Sequence, residues 1–379
     1  MSSDANNDGI INIKDINILL SDWDNQSQSI LDNILSSYGE PAPQPEPEPE
    51  SEPQSESEPE PETEDFLGGT VQDGYIQYAN GQLIDLSDDS VIEEFQTDYY
   101  GDYTLSTPVQ NLPDFYKVVF TGGNDLATGE AMTGTLSNMS TKTIALSSND
   151  VKLNISPITT LVSSKVEQLL LDTSITLDEN LINNQQVEVS TALGISIEDM
   201  NADYIKEENI AIAKITQQIE VITNTISTAG GSGLNKQTIM SSLASTIQGT
   251  NFDLSGETNI DSIVNHVKLD TNITLPDEAN VKQLIQGLND NIQTLDTNTS
   301  FSDVITNATK ITKKNNEVIT ANDFNFGNII VSDVINEIND VVNDTTYTLE
   351  NVLGEPESEP EPEPEQVPEH VIDIFTIIE

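Results

Sequence analysis

No cysteine occurs in the chain, and histidine occurs only twice. The first absence excludes disulfides, thiolate metal sites and cysteine nucleophiles. The second leaves His266 and His370 as the whole supply of imidazole. Neither stands in a triad or metal-ligand spacing, and no P-loop, nucleophile elbow or dinucleotide fingerprint is present. Cations are scarce as well: 13 Lys and Arg face 65 Asp and Glu, a formal net charge of −52 over 379 residues. Such a chain repels nucleic acid and anionic membranes, so neither is expected as a partner. Its carboxylates suit hard cations. Paired carboxylates for glycoside cleavage occur everywhere in so acidic a chain, and none is singled out by that abundance. The expectation is a protein that is not an enzyme. No apolar run approaches the ~20 residues needed to span a bilayer, so membrane insertion is not expected either. Met1-Ser2-Ser3-Asp4 has neither the basic nor the apolar region of a signal peptide. Three expectations follow: an intracellular chain, export by another route, or a start that continues upstream.

What is present divides into blocks, and a chain of this length has room for two or three domains. Residues 1–39 form a small head. Residues 40–65, PAPQPEPEPESEPQSESEPEPETED after Glu40, are a low-complexity linker. Repeated proline and like charges favour an extended polyproline II tether, reaching roughly 80 Å. Residues 353–379 repeat that chemistry and end on an apolar stretch, Val371–Glu379, suited to adding as a strand to a partner's sheet edge, with folding back or the start of something truncated as the preferred readings. Residues 66–150 carry short alternating runs such as Tyr116-Lys117-Val118-Val119-Phe120 among Gly, Tyr and Thr, the pattern of a small β-sandwich. Residues 151–352 switch to a helical period. Ser156-Pro157 is a cap and first-turn pair, followed by Ile158, Leu161, Val162, Val166, Leu169 and Leu170 on one face. Ile205, Ile212, Ile215, Ile219, Ile222 and Ile226 predict a longer helix, broken by Gly230-Gly231-Ser232-Gly233. The strings Leu171–Leu177 and Leu269–Leu275 echo each other and suggest a duplicated unit.

The candidate metal site lies in Asp4–Asp15. Oxygen-bearing side chains occupy loop positions 1, 3, 5, 9 and 12, as a calcium loop requires. Asp4, Asn6, Asp8 and Asp15 supply oxygens directly, Ile10 supplies its carbonyl, and Asn12 acts directly or through water. Gly9 allows the sharp turn at position 6. Ile16, Leu19, Leu20 and Trp23 then mark one face of a helix starting in the loop. Ile30, Leu31, Ile34, Leu35 and Tyr38 suit a second helix against it. The pattern D-x-N-x-D-G-x-I-N-x-x-D followed by that helix resembles one half of a type I dockerin, an EF-hand-like module. The resemblance implies Ca2+ as the cofactor. It also implies docking to a cohesin-like protein partner in a polysaccharide-degrading assembly, outside the cell or at its surface. This chain departs from the family in two ways. Residues 24–39 hold no second loop, and Ile13 and Lys14 stand where the family has small hydroxyl residues.

Thr97-Asp98-Tyr99-Tyr100-Gly101-Asp102-Tyr103-Thr104-Leu105 resembles a segment of carboxypeptidase-regulatory-like domains of large bacterial surface proteins. In those relatives an acidic loop precedes the segment, and Asp85, Ser87, Asp89 and Glu93 are the matching residues here, with Ser90 replacing the turn glycine and Gln96 the closing acid. Tyr75, Tyr78, Tyr99, Tyr100 and Tyr103 cluster nearby, suited to strand-edge packing or to stacking on sugar faces. The chain is therefore expected to be multidomain and mixed, with an EF-hand-like helical head, a β-sandwich and an all-α domain, joined and followed by Pro-Glu tethers. The expected role is a non-catalytic calcium-binding surface or interaction protein. Two alternatives are an accessory of polysaccharide degradation that binds or cleaves carbohydrate, and a structural fibre or appendage protein.

Overall fold

A computed structural model describes residues 65–147 and 152–349, all within one compact unit. The calcium loop with Asp4, Asn6, Asp8, Ile10, Asn12 and Asp15, the helices expected beside it, and both Pro-Glu tracts up to residue 64 and from residue 353 lie outside the described residues. The described chain is mixed, with strands first and helices after, as the change of period predicts.

Eight short strands make up the first part: β1 Phe66–Thr70, β2 Ile76–Gln77, β3 Asn80–Asp85, β4 Ser90–Gln96, β5 Asp102–Pro108, β6 Phe115–Thr121, β7 Asn124–Asp125 and β8 Thr135–Thr141. They form three antiparallel sheets, a four-stranded one in the order β4-β3-β6-β8 and the pairs β1-β5 and β2-β7. Alternation sets the inward face. Tyr116, Val118 and Phe120 of β6 are buried together with Leu83 of β3, and they meet Leu67, Tyr103 and Leu105 from the β1-β5 pair. Helix α1, Lys142–Ser147, follows β8 directly. It was not expected from the sequence, and the Thr141 hydroxyl accepting from the Ile144 amide at 3.2 Å starts it.

The handover to the helical part runs parallel to β1. The Leu153 amide donates to the Gly68 carbonyl at 2.8 Å and that of Ile155 to the Thr70 carbonyl at 2.9 Å. Helix α2, Pro157–Leu170, starts at the predicted place. Ser156 accepts from the Thr159 amide, Thr159 accepts from the Ser156 amide, and Pro157 occupies the first turn, where its missing N–H costs nothing. The face differs from expectation. Ile158, Leu161, Val162 and Val166 are buried, but so are Thr159, Thr160, Ser163 and Ser164, while Leu169 and Leu170 are half-buried. The reason is that β8 covers one side of α2 and later helices the other.

Eight more helices follow: α3 Glu179–Leu193, α4 Ile197–Asn201, α5 Ile210–Gly230, α6 Lys236–Thr246, α7 Glu257–Thr271, α8 Glu278–Gln293, α9 Phe301–Ile319 and α10 Val331–Asn343. The isoleucine-rich helix α5 is shorter than predicted. Asn209 caps it, accepting from the Ile212 amide at 3.2 Å, so Ile205 is buried in the preceding turn rather than in the helix. Its end is as expected, because Gly231 adopts φ +68°, a left-handed position that a side chain would strain. Ile219, Ile222 and Ile226 face the main apolar core with residues of α8 and α9. The two echoing strings both sit where one helix passes into the next, and each leaves its leading leucine outside, Leu171 and Leu269 being 83% and 79% exposed.

Candidate functional site

A polar cleft of about 330 Å³ opens between the turn after β7 and helices α5, α6 and α9. Its first acid, Asp73, comes from the loop after β1. Gly74 beside it has φ +77°, and its lack of a side chain admits the Asp125 carboxylate, which a Cβ would strike. Asp125 in turn organises the 125–133 turn. Its carboxylate accepts from the Ala127 amide at 2.8 Å and from the Thr128 hydroxyl at 2.8 Å, while its carbonyl accepts from the Gly129 amide at 2.8 Å. This is the local bonding by which aspartate favours turns over strands. The turn sets Glu130 and Met132 along the mouth.

The opposite wall is helical. Gln217, Glu220, Asn224, Ser227 and Thr228 of α5 lie at steps of three and four, a polar stripe on a helix otherwise facing the core. Thr312 and Asn316 of α9 and Thr320 just past its end follow at steps of four. Lys236 enters from the first turn of α6, with its stem against Gly134, and its Nζ lies 3.1 Å from Glu220 Oε1. Asn224 donates to the same oxygen at 2.6 Å and to Asn316 Oδ1 at 2.7 Å. Lys313 of α9 holds the turn from outside by donating to the Thr128 carbonyl at 2.6 Å.

Four acids therefore meet one lysine. Burial pushes the Asp73 carboxyl well above the ordinary range, and the charges of Glu220 and Asp125 raise it further against the pull of Lys236. Burial also brings Asp125 up to about 6, against the lowering effect of the bonds from Ala127 and Thr128. Tyr204, buried beneath, has its phenol raised by burial first and then by Asp73, Asp125 and Asp203. Asp73 Oδ1 and Gln217 Oε1 are buried without a hydrogen-bond partner, and Gln217 as a whole is 3% exposed. Such a group can exchange protons near neutral pH or hold a positively charged guest.

The residues suggested by the sequence have other places. Asp85, Ser87 and Asp89 lie at the β3–β4 hairpin, where Asp85 Oδ1 accepts from the Ser87 amide at 2.8 Å and Asp89 adopts φ 58°. Glu93 is engaged by β5, accepting from the Ser106 and Thr107 amides at 2.7 and 2.9 Å. Among the described residues no three acidic or histidine side chains converge as a set of metal ligands. The tyrosines divide. Tyr103 is buried and donates to the Leu153 carbonyl at 2.5 Å, and half-buried Tyr75 bonds Asp203. Tyr78 and Tyr99 are 49% and 43% exposed. Tyr99 meets both Tyr78 and Tyr100 edge-on, with centroids 6.4 and 5.0 Å apart. His266 is half-buried on α7, with Nδ1 3.0 Å from the Ser262 carbonyl.

The backbone of the Thr97–Leu105 segment is held by bonds to its own side chains. The Thr97 hydroxyl accepts from the Ala79 amide at 2.8 Å and donates to the Ile76 carbonyl at 2.7 Å. Asp98 accepts from the Tyr100 and Asp102 amides at 2.8 and 2.9 Å, and Gly101 supplies φ +79°. Comparison with known proteins gives no match to a family model, a curated protein or a solved structure.

Proposed function

We propose that the chain is a non-catalytic, calcium-binding interaction protein that works at a surface. On this reading Asp4, Asn6, Asp8, the Ile10 carbonyl, Asn12 and Asp15 bind one Ca2+ and order a dockerin-like head for a protein partner, cohesin-like in kind. A Pro-Glu linker joins this head to a body whose strand-rich part is, on the same reading, a small β-sandwich. The observation that carries the reading is the placing of oxygen-bearing residues at loop positions 1, 3, 5, 9 and 12 around Gly9, followed in register by Ile16, Leu19, Leu20 and Trp23. Calorimetric titration of the full chain with calcium should show one saturable site above the diffuse binding of an acidic protein, and Asp8→Ala should remove that site. Identical isotherms for the two proteins would defeat the reading.

The exposed tyrosines favour a second reading, an accessory of polysaccharide degradation that binds carbohydrate. Tyr78 keeps its ring at the surface from a left-handed backbone, φ 54°, a position that costs conformational energy in a non-glycine residue. Rings exposed in a group are suited to stacking on sugar faces. A glycan array probed with the native chain and with Tyr99→Ala tests it. Signal carried by the native chain alone supports the reading, and equal or absent signal removes it.

A further inference from the structure

We infer that the cleft between the 125–133 turn and helices α5, α6 and α9 is a binding site for a small organic cation, a molecule carrying a primary ammonium or guanidinium group. The inference is independent of the calcium-binding head and of the tyrosine cluster.

Its first support is the bonding inventory. Gln217 is 3% exposed and lines the cleft, yet its Oε1 has no partner, and Asp73 Oδ1 is in the same condition. The Gln217 oxygen can only accept, and the Asp73 oxygen does so once its carboxyl is ionised. A buried acceptor without a donor costs free energy that an arriving donor recovers. Ammonium and guanidinium groups bring donors and no acceptors, which suits this deficit in a way that a carboxylate or a phosphate does not.

The second support is charge. Asp73, Asp125, Glu130 and Glu220 line the cleft from three separate segments, and Lys236 is the only cation among the lining residues. The site already holds one ammonium, since Lys236 Nζ rests 3.1 Å from Glu220 Oε1. Burial and the charges of Glu220 and Asp125 disfavour the ionised form of Asp73, and a guest cation supplies the opposite charge that favours it. Size agrees too, because about 330 Å³ is at the lower end of small-ligand pockets. The hydroxyls of Thr133, Ser227 and Thr312 offer further contacts to a polar guest.

Binding is therefore linked to protons. The titratable groups lining the cleft are Asp73, Asp125 and Glu130 from the turn, Glu220 from α5 and Lys236 from α6; Tyr204 is buried beneath Asp73, and Lys313 of α9 braces the turn at the Thr128 carbonyl. Of these, Asp125 titrates at about 6, so affinity should rise with pH through that value.

The test is calorimetric titration of the full chain with putrescine and with agmatine, at salt sufficient to screen the diffuse attraction of an acidic protein for any cation. 1,4-Butanediol serves as the uncharged analogue. The expected result is one saturable site for either amine and none for the diol. Binding should be stronger at about pH 7.5 than at about pH 5 and roughly tenfold or more weaker in Glu220→Gln. The distant Glu198→Gln should bind as the native chain does. Ala131→Phe, at an exposed position on the cleft wall, blocks entry without touching the acids and replaces Glu220→Gln if that variant fails to fold. Absence of binding, or binding that the cleft substitutions leave unchanged, overturns the inference.

Discussion

The Tyr75 phenol reaches both carboxylate oxygens of Asp203, at 3.1 and 3.0 Å, across 128 positions of sequence. It ties the loop after β1 to the turn before α5. Burial, followed by the neighbouring Asp203 carboxylate, raises the phenol above its usual range, so it stays a neutral donor at physiological pH. Tyr75→Phe removes a hydrogen bond to a charged acceptor and should lower stability by about 1.5–3 kcal/mol. Urea unfolding measures it, and Asp203→Asn, which retains an acceptor, should cost less.

Lys165 is a buried lysine with two uses. It is 9% exposed and donates to the Ile247 carbonyl at 2.6 Å and to Glu188 at 2.7 Å. The Glu188 side chain is 38% exposed, so solvent screens that pair and its share is small. Lys165→Met should cost about 2–3 kcal/mol through the lost charge-assisted bond to the carbonyl. Glu188→Gln should change the urea midpoint much less. Equal losses in the two variants would show that the ion pair dominates.

Asp125 gives stability a pH dependence of known sign. Its carboxyl titrates at about 6 in the folded chain and at about 3.9 when unfolded. Between those values the native state binds more protons than the unfolded one, so this residue makes stability fall as pH rises, with no further change above the window. Glu93 and Glu278, lowered by their bonding, act in the opposite sense at lower pH. Asp125→Asn isolates its contribution. The difference in unfolding free energy between native and variant should shift in favour of the variant from about pH 4 to about pH 7.

Gly81 faces the aromatic core. An added Cβ would lie 2.5 Å from a Phe95 ring atom and 2.7 Å from one of Phe120. Those rings are themselves in contact, edge-on at 5.5 Å, and the Tyr103 ring lies 5.0 Å from that of Phe120. Gly81→Ala should therefore cost roughly 1–3 kcal/mol by overpacking. A thermal melt with an unchanged midpoint would show that the rings move aside freely.

Much of the secondary structure was legible because it is dictated locally. Ser156-Pro157 announced α2, and Gly231 announced the end of α5, since caps and left-handed glycines act over only a few residues. The inward residues of β6 followed from alternation. The all-round burial of α2 was not legible, because it depends on strands and helices that arrive from elsewhere in the chain. The cleft was hidden for the same reason. Asp73, Asp125, Glu220 and Lys236 belong to separate elements, and in so acidic a chain no individual carboxylate stands out. One signal was available. The polar stripe Gln217, Glu220, Asn224 and Ser227 interrupts an isoleucine-rich helix at a spacing that places all four on one side.

The bonds from α9 to the 125–133 turn have a bearing on synthesis. Lys313 and Asn316 reach residues 185 and 186 positions earlier. Contacts of that span close late, after the nearer pairings have shortened the loop to be joined. During translation the turn would leave the ribosome long before the residues that brace it. The receptive hollow is thus a property of the finished body alone, and a chain released early would present its acids without the wall that gathers them.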